Sequence, residues 1–394
     1  MSLNFQQVHE QVKQMGENAP LREQKLQEIR ATARQLLTHY ANDLDHLRAK
    51  VTRALRSDPT LRCALPVNEP LTAHFSSPPP PLPLTLLAAD GSQINPDRHD
   101  PVQYCLINVG TIQMSWGTAQ PPLPNIQSKL LYDQDIYDLT ENMVALRRDL
   151  AERQVLAELA AQAIAAQPET PVVSFTDGPV ELWGAKDEQG DSEFQKSLDT
   201  YLESLTRLEE LSAINAGYVD KPGADLVLRL LEVAVTAEDQ MDNLRQYRPL
   251  RGVTDTDLFR DWLAPGERSA VFAMQSKSAE KYRRGLALHF FYLNVGNEHA
   301  DWLARVEIPA WVASAPQKLE TIQAVLIDQC KILGAKPYPY LLHRAHEAAV
   351  VTLIEKEQLT QMILIEMRRR GIATGEGSYK QAAKDAGGRT RFGA

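Results

Sequence analysis

The sequence predicts an α/β protein, a mixed sheet flanked by helices, preceded by an N-terminal helical arm. Two strand-like runs, Leu84-Thr-Leu-Leu-Ala-Ala-Asp90 and Pro171-Val-Val-Ser-Phe-Thr-Asp177, each end in an acidic residue followed by glycine. A long amphipathic helix is expected ahead of the second run, over 138–166. The resulting order is two strands with room for a third, then helix, strand, helix and strand. That order suits a mixed sheet with helices on its faces.

Each element follows from local pattern. Residues 4 to 56 are rich in Gln, Glu, Leu, Arg and Ala, and Ile29, Ala33, Leu36, Leu37 and Tyr40 recur at helical spacing. The arm is therefore assigned to 1–56, with Asn18-Ala-Pro20 expected to split it into two helices. Residues 57 to 83 end in Ser-Ser-Pro-Pro-Pro-Pro-Pro-Leu-Pro, which predicts an extended proline-rich linker. The main domain is expected over 84–370, with strands at 84–89, 102–113 and 171–176. A charged helix over 183–210, a strand within 211–219 and a helix over 224–236 come next. An irregular polar stretch runs from 237 to about 270, before strands near 270–275, 286–295 and 303–308. A helix at 315–333, a turn at Lys336-Pro-Tyr-Pro-Tyr340 and a single helix over 341–370 close the domain. The tail, 371–394, is glycine-rich and basic, with Lys380, Lys384, Arg389 and Arg391 against Asp385, and is expected to be flexible.

Composition narrows the function classes. A formal net charge of −9 argues against a nucleic-acid binder held by bulk electrostatics, although an unfilled metal site is itself acidic and local fields decide docking. Cys63, Cys105 and Cys330 have no CxxC spacing, which argues against a disulfide scaffold or structural zinc and fits a reducing, cytoplasmic setting. The polar N-terminus carries no signal-peptide pattern, and no run approaches the roughly 18 apolar residues of a membrane span. Nucleotide hydrolysis by a P-loop is excluded, because no GxxxxGK[ST] occurs. Thr254-Asp-Thr-Asp257 has the look of a phosphotransferase aspartate pair but follows no apolar strand.

The chemistry gathers around acids. A carboxylate at the end of a buried strand is held rigidly, and two brought together begin a divalent-metal site. Asp-Gly is also the commonest turn dipeptide after a strand, so either copy alone has a purely local reading. The 138–166 helix offers Glu141, Asp149, Glu152 and Glu158, any of which could complete an oxygen-rich cluster. Arg148 and Glu152 are spaced i, i+4, the plain reading of which is a solvated salt bridge. His343 and His346 open the last helix; one could be a ligand or proton donor, or simply a partly buried polar residue.

Taken in order, Ala89-Asp90-Gly-Ser92, Phe175-Thr-Asp177-Gly178, Ala216-Gly-Tyr-Val-Asp-Lys-Pro222 and Tyr338-Pro339-Tyr340-Leu341 with Ala345-His346 resemble the NurA nuclease family. The similarity covers roughly residues 80 to 370. It implies a ribonuclease-H-like fold, DNA as substrate, Mn²⁺ (or Mg²⁺) as cofactor, and double-strand-break end processing by a homodimer working with a HerA-like hexameric ATPase. It also implies Asp90 and Asp177 as metal ligands, a helix glutamate between them, and a histidine near the C-terminus. Glu152 fits the glutamate best, because Leu146-Arg-Arg-Asp-Leu-Ala-Glu152 looks like the family's Arg-then-Glu helix, with Glu158 as the alternative. His346 follows Ala345 as the pattern asks, Tyr338 would accompany it against a base, and Lys221 would contact phosphate. Two departures are the polar insertion at 237–270 and Pro179 directly after the second Asp-Gly. The competing reading is a non-catalytic α/β scaffold that docks on an ATPase through its helical arm, with structural carboxylates.

Overall fold

The computed structural model describes residues 3–98, 100–132, 139–184, 190–334 and 336–372. The tail lies almost wholly outside these, as do residue 138 of the helix expected over 138–166 and residues 185–189 of that expected over 183–210, whose first residues, Trp183 and Gly184, are in no helix. The chain forms two compact units. One comprises Met1–Pro80, Gly178–Val180 and Ala216–Pro339; the other comprises Pro81–Asp177, Glu181–Asn215 and the chain from Tyr340 on.

The arm differs from expectation in where it breaks. Helix α1 spans Phe5–His39, with Asn4 capping its start and Pro20 inside it, and α2 spans Leu44–Ser57. Proline removes one N–H, but the turn before Pro20 is solvent-exposed, so water can take the freed carbonyl. The chain turns instead at Tyr40–Asp43, just past the buried Ala33 and Leu37. The expected linker also differs. Strands β1, Cys63–Pro66, and β2, His74–Phe75, lie within it, and Leu61, Cys63, Ala64 and Leu71 are buried. The proline run itself, 78–83, carries no regular element.

The second unit holds β3 (Leu84–Ile94), β4 (Cys105–Trp116), β5 (Leu123–Leu131), α3 (Glu141–Ala166), β6 (Val172–Asp177) and α4 (Gly190–Glu210). Strand β4 runs antiparallel to β3 from Leu84↔Trp116 to Ile94↔Leu106, and β5 runs antiparallel to β4. Strand β6 pairs parallel with β3 on its other side, from Thr85↔Val172 to Ala89↔Thr176. The sheet is mixed, and its meander followed by a helix and a parallel strand is ribonuclease-H-like. The third strand, β5, had no residue range assigned from sequence, because it is an edge strand exposed on both faces and shows no clean apolar alternation.

The first unit holds β7 (Ile214–Val219) from Ala216 on, α5 (Leu226–Val235), α6 (Asp255–Phe259), β8 (Arg268–Ser269), β9 (Phe272–Gln275), β10 (Leu288–Asn294), β11 (Leu303–Pro309), α7 (Ala310–Ala313) and α8 (Pro316–Ile332). Within it, β1, β9, β10, β11 and β7 are neighbours in that order. The 237–270 insertion is folded rather than irregular, and its aspartates are structural. Thr254 and Asp257 form a capping box, while the fully buried Asp255 accepts from the backbone N–H groups of Val227 and Leu228 and from the Tyr292 hydroxyl. That spends the Thr254–Asp257 run on starting α6 and holding the first turn of α5.

The last predicted helix is two: α9 (Tyr340–Ala349) and α10 (Leu353–Arg369). Thr352 caps α10 reciprocally with Glu355, so the chain restarts after Val350-Val351 instead of continuing. No described helix is long and apolar enough to cross a membrane.

Candidate functional site

In the second unit, β3 carries the site, and its alternation decides what meets there. The first Asp-Gly does not end the strand as expected: β3 runs through Gly91 to Ile94. Residues directly opposite in an antiparallel pair point to the same face. Asp90 is opposite Gly110, and Ser92 is opposite Asn108. All four meet α9. A Cβ on Gly110 would come within 2.5 Å of Ala349 N and 2.7 Å of Ala345 O. The Ser92 hydroxyl and the Asn108 amide both donate to the Ala349 carbonyl, which ties down an orphan acceptor at the helix end. So seated, α9 brings His346 Nδ1 to 2.7 Å from Asp90 Oδ2. With Asp90 ionised, Nδ1–H donates, which fixes the imidazole's orientation and leaves Nε2 on a largely exposed ring.

Gly91 faces the other way, toward α3. A Cβ there would lie 2.5 Å from Glu152 Oε1 and 2.6 Å from Arg148 Cγ. The missing side chain is what lets a buried carboxylate rest on the strand next to Asp90. The glycine was read from sequence as a turn; its space is used instead for close approach. Glu152 is 5% exposed, and burial pushes its carboxyl up to about 8; Asp149 and Asp90 add to this, while Arg153 and Arg148 oppose it. Arg148 Nε stands 3.2 Å from Glu152 Oε1 and its Nη2 donates to Asp149 Oδ1 at 2.7 Å. Burial works against the Arg148 guanidinium, yet Asp149, Glu152 and Asp90 together hold its pKa above the ordinary arginine value.

The remaining expected residues divide clearly. Asp177 ends β6 one residue beyond the Ala89↔Thr176 pair, level with Asp90; it is exposed, and Gly178 then turns the chain at φ +87°. Glu158 is exposed on α3, so of the two glutamates it is Glu152 that lies at the strand. His343 is 3.5 Å from Glu347 rather than at Asp90. Tyr338 and Lys221 belong to the first unit. There the Tyr338 ring packs edge-on to the buried Tyr218, and Lys221 Nζ lies 4.2 Å from the Trp302 ring centroid. From sequence alone, Gly110 and Asn108 carry no assignment, Ser92 enters only within the Asp90 motif, Asp149 only as one of several helix carboxylates, and Arg148 as a solvated partner. The available signal was small and polar residues placed mid-strand in otherwise apolar runs.

Among the described residues, no three His, Cys, Asp or Glu side chains are gathered closely enough to form a ready-made metal cluster. The donor chemistry nevertheless fits a divalent ion. Carboxylates at Asp90, Glu152 and Asp177 and one imidazole suit a hard or borderline cation. In this arrangement Arg148 supplies a positive partner to Glu152 and His346 a hydrogen-bonding partner to Asp90.

A family model described as NurA domain matches residues 84–351. A search of curated proteins finds no match. Among solved structures, the NurA nuclease from Sulfolobus solfataricus is 12% identical, with 75% of this chain and 88% of that chain covered and a TM-score of 0.48. The catalytic domain of human endonuclease V is 13% identical, with 81% and 98% covered and a TM-score of 0.33. A NurA structure bound to dAMP and manganese is 9% identical, with 72% and 88% covered and a TM-score of 0.30. The family rests on the domain match.

Proposed function

The chain belongs to the NurA family, and from that premise we propose that it is a divalent-metal-dependent DNA nuclease acting on the ends of double-strand breaks. The observation that carries this reading is the meeting, on one strand, of Asp90 with His346 on one face and Glu152 across Gly91 on the other. Asp90, Glu152, Asp177 and His346 would hold Mn²⁺ or Mg²⁺. Such an ion, when bound, supplies activation of water and neutralises charge on the departing 3′-oxygen. The chain's own part is to present rigid carboxylates from β3, α3 and β6 and to aim an imidazole from α9. His346, pinned through Nδ1, keeps Nε2 available to ligate or to move a proton at the leaving oxygen. Tyr338 and Lys221 are assigned to DNA contact on the family resemblance. The same resemblance supports a homodimer, a cytoplasmic setting and a HerA-like hexameric ATPase as partner; the chain has no P-loop motif with which to drive translocation itself.

The test is cleavage of end-labelled single- and double-stranded DNA across Mn²⁺ and Mg²⁺ concentrations, with and without the ATPase. Asp90→Ala and Asp177→Ala should each lower the rate by about 10²-fold or more while the melting temperature stays close to the parent's. Variants that cut as fast as the parent in Mn²⁺ would remove both residues from the site.

A further inference from the structure

We propose that Arg148 is the positioning residue of this site, holding Glu152 in place for the metal; the inference rests on the nuclease reading above. Three features of the second unit point to it. The Arg148 side chain crosses β3 at Gly91, where a Cβ would come within 2.6 Å of its Cγ and 3.0 Å of its Cδ, so its stem has one path. Its guanidinium is anchored at Asp149 Oδ1, one residue along the same helix. The same guanidinium lies in ion-pair contact with Glu152, its Nε 3.2 Å from Oε1 while the Nε–H is directed to Asp149 Oδ1.

Glu152 is buried over a glycine with little room to turn, so its place on the α3 face of the strand beside Asp90 is set before an ion arrives. Arginine suits this role better than lysine, because a planar fork can serve two acids at a defined angle while an ammonium is a point charge. Asp149 is then the tether that keeps the fork from following a passing phosphate. Residues that orient a metal's ligands in this way typically govern affinity or activity by about 10–100-fold when removed.

The experiment compares the full-length parent with Arg148→Ala, Arg148→Lys and Gly91→Ala. Four quantities are read: Mn²⁺ affinity by electron paramagnetic resonance, affinity for an oligonucleotide in EDTA, kcat and KM in Mn²⁺, and the melting temperature in EDTA. Arg148→Ala should weaken Mn²⁺ binding by about 10–100-fold and lower kcat, with DNA affinity in EDTA unchanged. Arg148→Lys should recover part of the loss. Gly91→Ala should reproduce it with the charge still present, by pushing Glu152 and Arg148 off the strand, and it serves as the arbiter if Arg148→Ala fails to fold. Mn²⁺ affinity equal to the parent's in both Arg148→Ala and Gly91→Ala overturns the proposal. So does unchanged Mn²⁺ affinity with weakened DNA binding, which would make Arg148 a phosphate contact. A parent that neither binds Mn²⁺ nor cuts DNA brings down the nuclease reading itself, and is recognised before any variant is compared.

Discussion

Glu152 is the side chain whose environment says most about the site, because a buried acid must be compensated or neutralised. Its carboxyl is raised from an ordinary value of 4.5 to about 8, so the folded protein favours the protonated form. Stability from that neutral acid is fully present below the unfolded pKa and is lost as pH rises through about 8. In EDTA the parent should therefore lose on the order of a few kcal/mol between pH 5 and pH 8 from this group alone. Glu152→Gln should flatten the slope, matching the parent at pH 5 and melting several degrees higher at pH 8 in calorimetry. If the two melt alike at pH 8, the acid is better solvated than its burial indicates. Added Mn²⁺ should reverse the order, stabilising the parent and leaving the glutamine variant behind, since only a carboxylate rewards the ion.

At the scale of elements, α9 reaches the sheet through Gly110, and that contact is what presents His346. Gly110→Ala would set a methyl 2.5 Å from the Ala349 nitrogen, so the helix must lift. The expected result is a loss of about 1–3 kcal/mol by denaturant unfolding, as for other overpacked positions, together with a fall in nuclease rate. Full activity with lowered stability would show that His346 is not needed where it stands. Much of this architecture was legible in sequence. Asp90 and Asp177 read as acids closing apolar runs, and Glu152 was preferred to Glu158 through the resemblance of Leu146–Glu152 to the family's Arg-then-Glu helix. Other features were hidden for physical reasons. Strand β5 has no buried face to create a pattern, and Pro20 sits where water can replace its lost bond. The α9–α10 break depends on a side-chain cap at Thr352 that outweighs the continuing helical periodicity. That Gly91 marks close packing rather than a turn, and that Gly110 seats a helix, could be seen only once the helices were placed.

At the scale of the whole molecule, the formal charge of −9 acts in opposite senses on the two ligands proposed for it. It draws in a divalent cation and repels a polyanion, so the ion arriving first makes the approach of DNA easier. Raising monovalent salt from about 0.01 M to about 0.1 M shortens the Debye length from about 30 Å to about 10 Å and should weaken Mn²⁺ binding several-fold. Titration at the two salt levels checks this; an affinity insensitive to salt would assign the attraction wholly to the immediate ligands.

Where Asp90 stands, the sheet is only a partition one backbone thick, because a glycine replaces the side chain on each side that a helix presses. Such a partition insulates poorly. The charge on Asp90 already reaches the Glu152 carboxyl from the opposite face, so a proton or cation gained beside α9 alters the energy of an acid under α3 without any atom having to travel. Two helices on opposite faces of one strand can in this way report their occupancy to each other.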